Sequence, residues 1–112
     1  MSDVYTTGSW EPYPGQVRAF QKAWADFAAW ATGFPGAGRA VLGRDVREEG
    51  RYVSFIRWES MEAMRAWKAS PDFKPRMGRV QKYIDKFSPT EIVLVAESEG
   101  GAASIAPVDD PA

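Results

Sequence analysis

Apolar and polar positions divide the chain into strand-like and helix-like stretches of ordinary length. Val4, Tyr5, Thr6 and Thr7, within Asp3 to Trp10, suit a pleated and partly buried strand. Glu11-Pro12-Tyr13-Pro14-Gly15 interrupts it, with Pro14 placed for the opening turn of a helix, where its missing N–H does no harm. From Gln16 to Thr32 the residues Val17, Phe20, Trp24, Phe27 and Ala31 recur at steps of three and four, which is one face of an amphipathic helix. Arg18, Lys22 and Asp26 occupy its other face, and Gly33 follows as a terminator.

Beyond the turn-rich Phe34 to Gly38, two strand-like runs, Ala40 to Arg47 and Arg51 to Trp58, flank Glu48-Glu49-Gly50 and predict a hairpin. Ser60 is placed to cap a short helix carrying Met61, Met64 and Trp67. Ser70-Pro71 breaks that helix and opens another. A second stripe, Phe73, Met77, Val80, Ile84 and Phe87, extends this next helix as far as Pro89, with Pro75 in its first turn. Glu91 to Ala96 reads as a last strand. Residues 1–97 are expected to form one domain, and 98–112, rich in Gly, Ala, Ser, Pro and Asp, a disordered tail.

The order strand, helix, strand, strand, helix pair, strand is that of an α+β, ferredoxin-like βαββαβ fold, a four-stranded antiparallel sheet with helices on one face. The strands nevertheless carry apolar residues at both parities: Val41 beside Leu42, Phe55 beside Ile56, Val93 beside Leu94. Such strands are buried on both faces, and the simplest cover for the second face is another copy of the chain, giving a homodimer through sheet faces.

Composition narrows the chemistry. The chain of 112 residues contains neither cysteine nor histidine, which removes disulfides, thiolate and imidazole metal sites, and triads built on histidine. Asparagine is also absent, so a carboxamide must come from Gln16, Gln21 or Gln81. Acidic and basic residues are balanced and intermixed, against nucleic-acid binding. Met1 to Gly8 has no signal pattern and no apolar run reaches bilayer length, so no membrane association and a cytoplasmic location are expected. Five tryptophans, Trp10, Trp24, Trp30, Trp58 and Trp67, have to be accommodated in a core or around a ligand.

Residues 51–73, RYVSFIRWESMEAMRAWKASPDF, carry a specific likeness. Trp58-Glu59-Ser60 at a strand end, Trp67 on a short helix, and Ser70-Pro71-Asp72-Phe73 at a helix junction resemble the antibiotic biosynthesis monooxygenase family, with the likeness running from about Val4 to Ala96. The resemblance implies a dimeric α/β barrel. The family's haem-degrading branch requires a histidine on the long helix and an asparagine near the first strand. Met77 stands at the first of these positions and the chain has no asparagine, which argues against haem. The other branch oxidises hydroquinone or anthrone-like molecules with O2 and without metal or flavin. This implies a cofactor-independent monooxygenase acting on a small aromatic ligand, needing no cofactor and no metal site.

By the same resemblance Trp67 stacks on the substrate; from their place in the pattern Phe20, Trp24, Phe55, Met64, Phe73 and Met77 are expected to line the same apolar space between helices and sheet. Arg44, Arg57 or Arg65 is expected to stabilise an anion, and Tyr52 or Tyr83 to hold an oxyanion or relay a proton, with Trp67, Arg44 and Tyr83 taken as the catalytic set. Each residue also has a structural reading. The aromatic stripe of the first helix and the methionines serve equally as core, Trp67 as core or pocket wall, and Arg44 as a rim residue beside Glu48 or Glu49. Without the asparagine that members of this branch can use, two further readings stay open: a non-catalytic dimeric binding or regulatory domain, and a polyketide cyclase-like role.

Overall fold

A computed structural model describes residues 3–105. Its elements are β1 (Val4–Pro12), α1 (Val17–Ala31), β2 (Ala37–Arg44), β3 (Tyr52–Trp58), α2 (Met61–Lys68), α3 (Phe73–Gln81), β4 (Ile84–Val93), β5 (Ala96–Glu99) and β6 (Ala102–Ile105). The first four strands form one antiparallel sheet in the order β2-β3-β1-β4, with three helices on one face, which is the ferredoxin-like arrangement. Phe20, Trp24 and Phe27 of α1, Met64 and Trp67 of α2, and Val80 of α3 are buried against Val4, Trp10, Tyr52, Ile56 and Trp58 of the sheet. Alternation on β3 is strict: Tyr52, Ser54, Ile56 and Trp58 face the helices, while Val53, Phe55 and Arg57 face away.

Helix starts follow local chemistry. The Ser60 hydroxyl accepts the Ala63 N–H at 3.0 Å and so caps α2, whose first turn carries Glu62 and last turn Arg65 and Lys68, all favourable to the helix dipole. Gly36, at φ 83°, turns the chain against this helix start. A Cβ there would lie 2.6 Å from that of Ala63, and its carbonyl accepts the Glu59 N–H at 2.8 Å.

Four boundaries differ from the sequence expectation. The helix containing Phe73 ends at Gln81 instead of continuing to Phe87, and β4 begins at Ile84 instead of Glu91. The cause is a bulge: Glu11 pairs with Lys86 and Pro12 with Ile84, so Asp85 is the extra residue. The bulge turns both Ile84 and Phe87 toward the helices at a spacing of three, which imitates a helical stripe. Pro89 stands within β4, which it can do because β4 is the sheet edge on that side. Strand β2 runs from Ala37 to Arg44 instead of Ala40 to Arg47. It stops because the Asp45 carboxylate accepts the N–H groups of Arg47 (2.8 Å) and Glu48 (3.1 Å) and pairs with the Arg51 guanidinium at 2.7 Å, forming a turn. Finally, the segment expected as a disordered tail begins with an exposed hairpin, β5 and β6, turned by Gly100 and Gly101 at φ 61° and 86°. Residues 106–112 of that expected tail lie outside the described residues.

Helices cover one side of the sheet only. The other side presents Val41, Phe55 and Ile92, each about two fifths exposed, next to Tyr5 and Val53. The strands are thus apolar at both parities as read, with the second face uncovered in a single chain. Among the described residues no helix is long and apolar enough to cross a membrane, and no group of three or more carboxylates is placed to hold a metal ion.

Two predictions follow from local geometry. A Cβ on Gly8 would meet Trp10 Nε1 at 2.8 Å and Phe87 Cε1 at 3.1 Å, so Gly8→Ala should destabilise the fold by about 1–3 kcal/mol in urea unfolding. The two backbone N–H groups and Arg51 hold the Asp45 carboxyl below its ordinary value of 3.8. Its contribution is therefore present above pH 3.8 and lost as pH falls through the lowered folded value. Asp45→Asn should be less stable than the wild type at neutral pH, and the gap should close in denaturation series run below about pH 4.

Candidate functional site: an aromatic cavity over the central strands

Burying an indole on a sheet requires an acceptor for its N–H, and the two central strands supply two in a reciprocal way. Trp10 on β1 lies diagonally across to β3, where its Nε1–H donates to the Ser54 hydroxyl at 2.9 Å. Trp58 on β3 lies diagonally back, and its Nε1–H donates to the Thr6 hydroxyl at 3.3 Å. Gly8, opposite Ser54 in register, leaves the space that the Trp10 ring crosses. Each indole is covered by a second ring: Phe87 stacks on Trp10 at 4.1 Å between centroids, and Trp67 stacks on Trp58 at 4.8 Å.

Between these pairs and the helices is a cavity of about 200 Å³. Trp24 and Phe27 of α1, Trp67 of α2, Phe73 and Met77 of α3, and Trp10 and Phe87 of the sheet form flat apolar walls. Thr6 and Ser54 form part of its floor, and Lys68 is the one charged side chain in the lining, ion-paired with Glu91 of β4. Trp67 is 2 % exposed, and Phe73 meets its ring edge-on at 4.9 Å. Its Nε1–H is buried without an acceptor in the chain.

Of the residues singled out in the sequence, Trp67, Trp24, Phe73 and Met77 meet in this cavity, and of the three carboxamides named there Gln81 also lines it. Phe20 and Met64 do not line it. They are fully buried core, with Phe20 packed against Trp10 and Tyr52 at 5.6 Å each. Phe55 is on the opposite face of the sheet, because its parity on β3 is the outward one. Arg44 is exposed at the end of edge strand β2, where it borders a separate open depression with Ala40, Leu42 and Tyr52. Tyr83, just after α3, lines an outer groove with Lys22, Asp26, Arg76 and Arg79, and the Lys82 ammonium sits 5.1 Å from its ring centre. Arg57 also faces outward, paired with Asp3, which together with Tyr5 raises the pKa of its guanidinium. Arg65 is exposed, and Tyr52 is buried in the core. The expected assembly of Arg44 and Tyr83 with Trp67 in one site is therefore not what the fold makes. Sequence reasoning overlooked Thr6, Ser54, Trp10 and Phe87. For the two hydroxyls the available signal was a polar residue at an inward strand position flanked by inward apolar ones.

These features define a small α+β domain with a helix-covered sheet and an aromatic cavity between the two layers. The chain belongs to the antibiotic biosynthesis monooxygenase family, whose model matches residues 4–77. SnoaB, a cofactor-independent oxygenase from Streptomyces nogalater, superposes with a TM-score of 0.74 at 20% identity over 91% of this chain and 100% of its own. A candidate antibiotic biosynthesis monooxygenase from Caulobacter crescentus CB15 gives 0.71 at 22% identity over 83% and 88%. Another from Bordetella bronchiseptica gives 0.72 at 18% identity over 82% and 96%. At these identities the likeness bears on the fold. No curated protein matches the sequence significantly.

The two stacked indoles differ in one respect that stability measurements can read. Trp58→Phe removes a satisfied hydrogen bond, whereas Trp67→Phe removes an unsatisfied buried donor while making a comparable void. Trp58→Phe should therefore cost more in chemical denaturation, by about 1–3 kcal/mol.

Proposed function

We propose that this chain is a cofactor-independent monooxygenase that oxidises a planar, reduced aromatic molecule of the hydroquinone or anthrone type with O2, bound in the Trp67 cavity. The observation that carries the reading is the buried, unpartnered Trp67 N–H set in a wall of flat rings. A planar ligand stacks on such walls, and a ligand oxygen satisfies that donor. Family membership supports the same class of chemistry.

In this chemistry the substrate carries the reactive electrons. In the anthrone case, deprotonation of the CH2 that is conjugated with the carbonyl through the rings gives an electron-rich anion, which passes one electron to O2, and the resulting pair combines into a peroxide at that carbon. Loss of water leaves a new carbonyl: one oxygen atom stays in the product and the other departs as water with the two hydrogens of the original CH2. The protein's part is to exclude water, hold the anion and keep O2 beside it. The Trp67 N–H serves the second task. Two chains paired through the outer sheet faces, covering Val41, Phe55 and Ile92, complete the proposed assembly.

One observation favours a second reading, a non-catalytic binding or regulatory domain: no carboxylate lines the cavity, and its one charged side chain, Lys68, is already paired. Oxygen uptake decides between them. With anthrone and a panel of hydroquinones in the presence of a chelator, the protein should consume O2 above the buffer rate, and Trp67→Phe should slow turnover by roughly 100-fold. A panel that binds without any uptake above background would sink the monooxygenase reading and leave the binding domain.

A further inference from the structure

The charges on this chain nearly cancel, with a formal net charge of −1, yet the fold does not spread them evenly. A groove of about 350 Å³ runs between α1 and α3, and its lining sets the cations Lys22, Arg76, Arg79 and Lys82 against a single carboxylate, Asp26. Lys22 and Asp26 pair with each other at 3.4 Å, one helical turn apart, and offset each other. Arg76, Arg79 and Lys82 have no carboxylate partner among the described residues. They recur at steps of three along α3 and its end, so neighbours lie about 5–6 Å apart at Cβ and the row covers about 9 Å of helix axis. Like charges at this spacing repel, and the helix dipole accounts only for the two at the C-terminal end, Arg79 and Lys82. Arg76 stands near the middle of α3, half-buried, with its guanidinium 5.0 Å from the Trp30 ring centre. A π face fixes the direction of a guanidinium without neutralising it and leaves its N–H groups to give. Beside the cations the groove is apolar: Ala19 and Ala23 of α1 allow close approach to the helix, and Tyr83 supplies ring surface. Phe27 lines both this groove and the aromatic cavity, so one buried ring separates the two.

We propose that this groove is a second ligand site, for an organic diphosphate or triphosphate, with a compact apolar or aromatic body against Ala19, Ala23 and Tyr83 and its phosphates along Arg76, Arg79 and Lys82. Charge and length select this class. A lone carboxylate or phosphate meets one arginine fork, whereas three cations in a row over about 9 Å match linked phosphates, whose oxygens arginine binds in pairs. The groove has the volume of a small-molecule site. A bound polyanion also relieves the mutual repulsion of the row, which the chain itself leaves uncompensated. No residue of the row lines the aromatic cavity, so the site does not depend on the reaction proposed there.

The test is calorimetric titration of the full chain with ADP, pyrophosphate and adenosine, without magnesium. ADP should bind with a Kd below about 1 mM at about 0.15 M salt. It should bind at least about threefold tighter than pyrophosphate, through its apolar body, and at least about tenfold tighter than adenosine, through its phosphates. Arg76→Gln should weaken ADP by about tenfold or more. Arg79→Gln combined with Lys82→Gln, two exposed changes that leave the Trp30 contact in place, should do the same and decides the matter even where Arg76→Gln folds poorly. Arg39→Gln removes an exposed arginine of β2 that has no carboxylate partner among the described residues, and should change the affinity less than about twofold. Absence of ADP binding overturns the site. So does ADP binding no tighter than pyrophosphate, which leaves only a bare anion patch, and so does a loss in Arg39→Gln equal to that in the groove variants, which makes the attraction non-specific. Poly-L-glutamate bound through Arg76 and Arg79, with no response to ADP, makes the groove a docking surface for an acidic protein and equally overturns the proposal.

Discussion

A buried indole must give its N–H to something, and that requirement organises the centre of this molecule. Leaving such a donor unpaired costs on the order of 1–3 kcal/mol, a large share of a small domain's net stability. Trp10 and Trp58 avoid the cost by leaning in opposite directions across the β1–β3 pair to Ser54 and Thr6. The consequences spread outward. Position 8 is glycine, because the Trp10 ring crosses it, and two inward strand positions that would otherwise be apolar carry hydroxyls. Phe87 and Trp67 supply the covering rings. Trp67 is the exception, buried as deeply as its neighbours but without an acceptor. The rule is met twice and broken once at the wall of a cavity, and on the proposed reading a ligand completes the bonding there.

The sheet divides the remaining work between its faces. Its inner face holds the rings and the cavity, while its outer face exposes Val41, Phe55 and Ile92 beside Thr7, Ser9 and Thr90. Phe55 and Ile56 are adjacent in sequence yet lie on opposite faces, so one contributes to the single chain's core and the other only to whatever covers the sheet. This separation lets the outer face change to suit its cover without disturbing the stacked rings within. The Asp45 turn plays a comparable local part. By taking two backbone N–H groups and Arg51, it ends β2 early, keeping Val46 and its neighbours out of the edge strand.

Much of the fold was legible because periodicity is a direct imprint of burial. The α1 stripe, the Ser60 cap and the β3 alternation each follow from one side of an element facing the core. What escaped was geometry that imitates another period. A single extra residue, Asp85, sets Ile84 and Phe87 three apart on the same face of a strand, indistinguishable in sequence from a continuing helix. The Gly100-Gly101 turn was hidden for a different reason, since small and polar residues around it read as a tail although two consecutive glycines suit a tight hairpin. For the site, the rings on α1, α2 and α3 were legible as a group, because helical faces converge on the core. Arg44 and Tyr83 were misplaced because chemical suitability for anion binding carries no information on direction. Thr6 and Ser54 were overlooked because a hydroxyl in a strand is usually unremarkable, and only the diagonal course of the two indoles gives it a role.

The absence of histidine and cysteine from the chain therefore shapes the site in a particular way. A protein without these groups has few means of moving protons near neutral pH, but it can still shift a ligand's ionisation by what it offers the anion. A buried N–H without an acceptor in the chain, such as that of Trp67, favours a bound phenolate or enolate over its neutral parent. An electron-rich anion of this kind is the species that can reduce O2 directly. On the proposed reading, stability and reactivity then draw on the same layer of rings: Trp67, stacked on Trp58 in the core, also offers its N–H to the ligand. The bonding of Trp10 and Trp58 is completed within the chain, and on the same reading that of Trp67 is left for the substrate to satisfy.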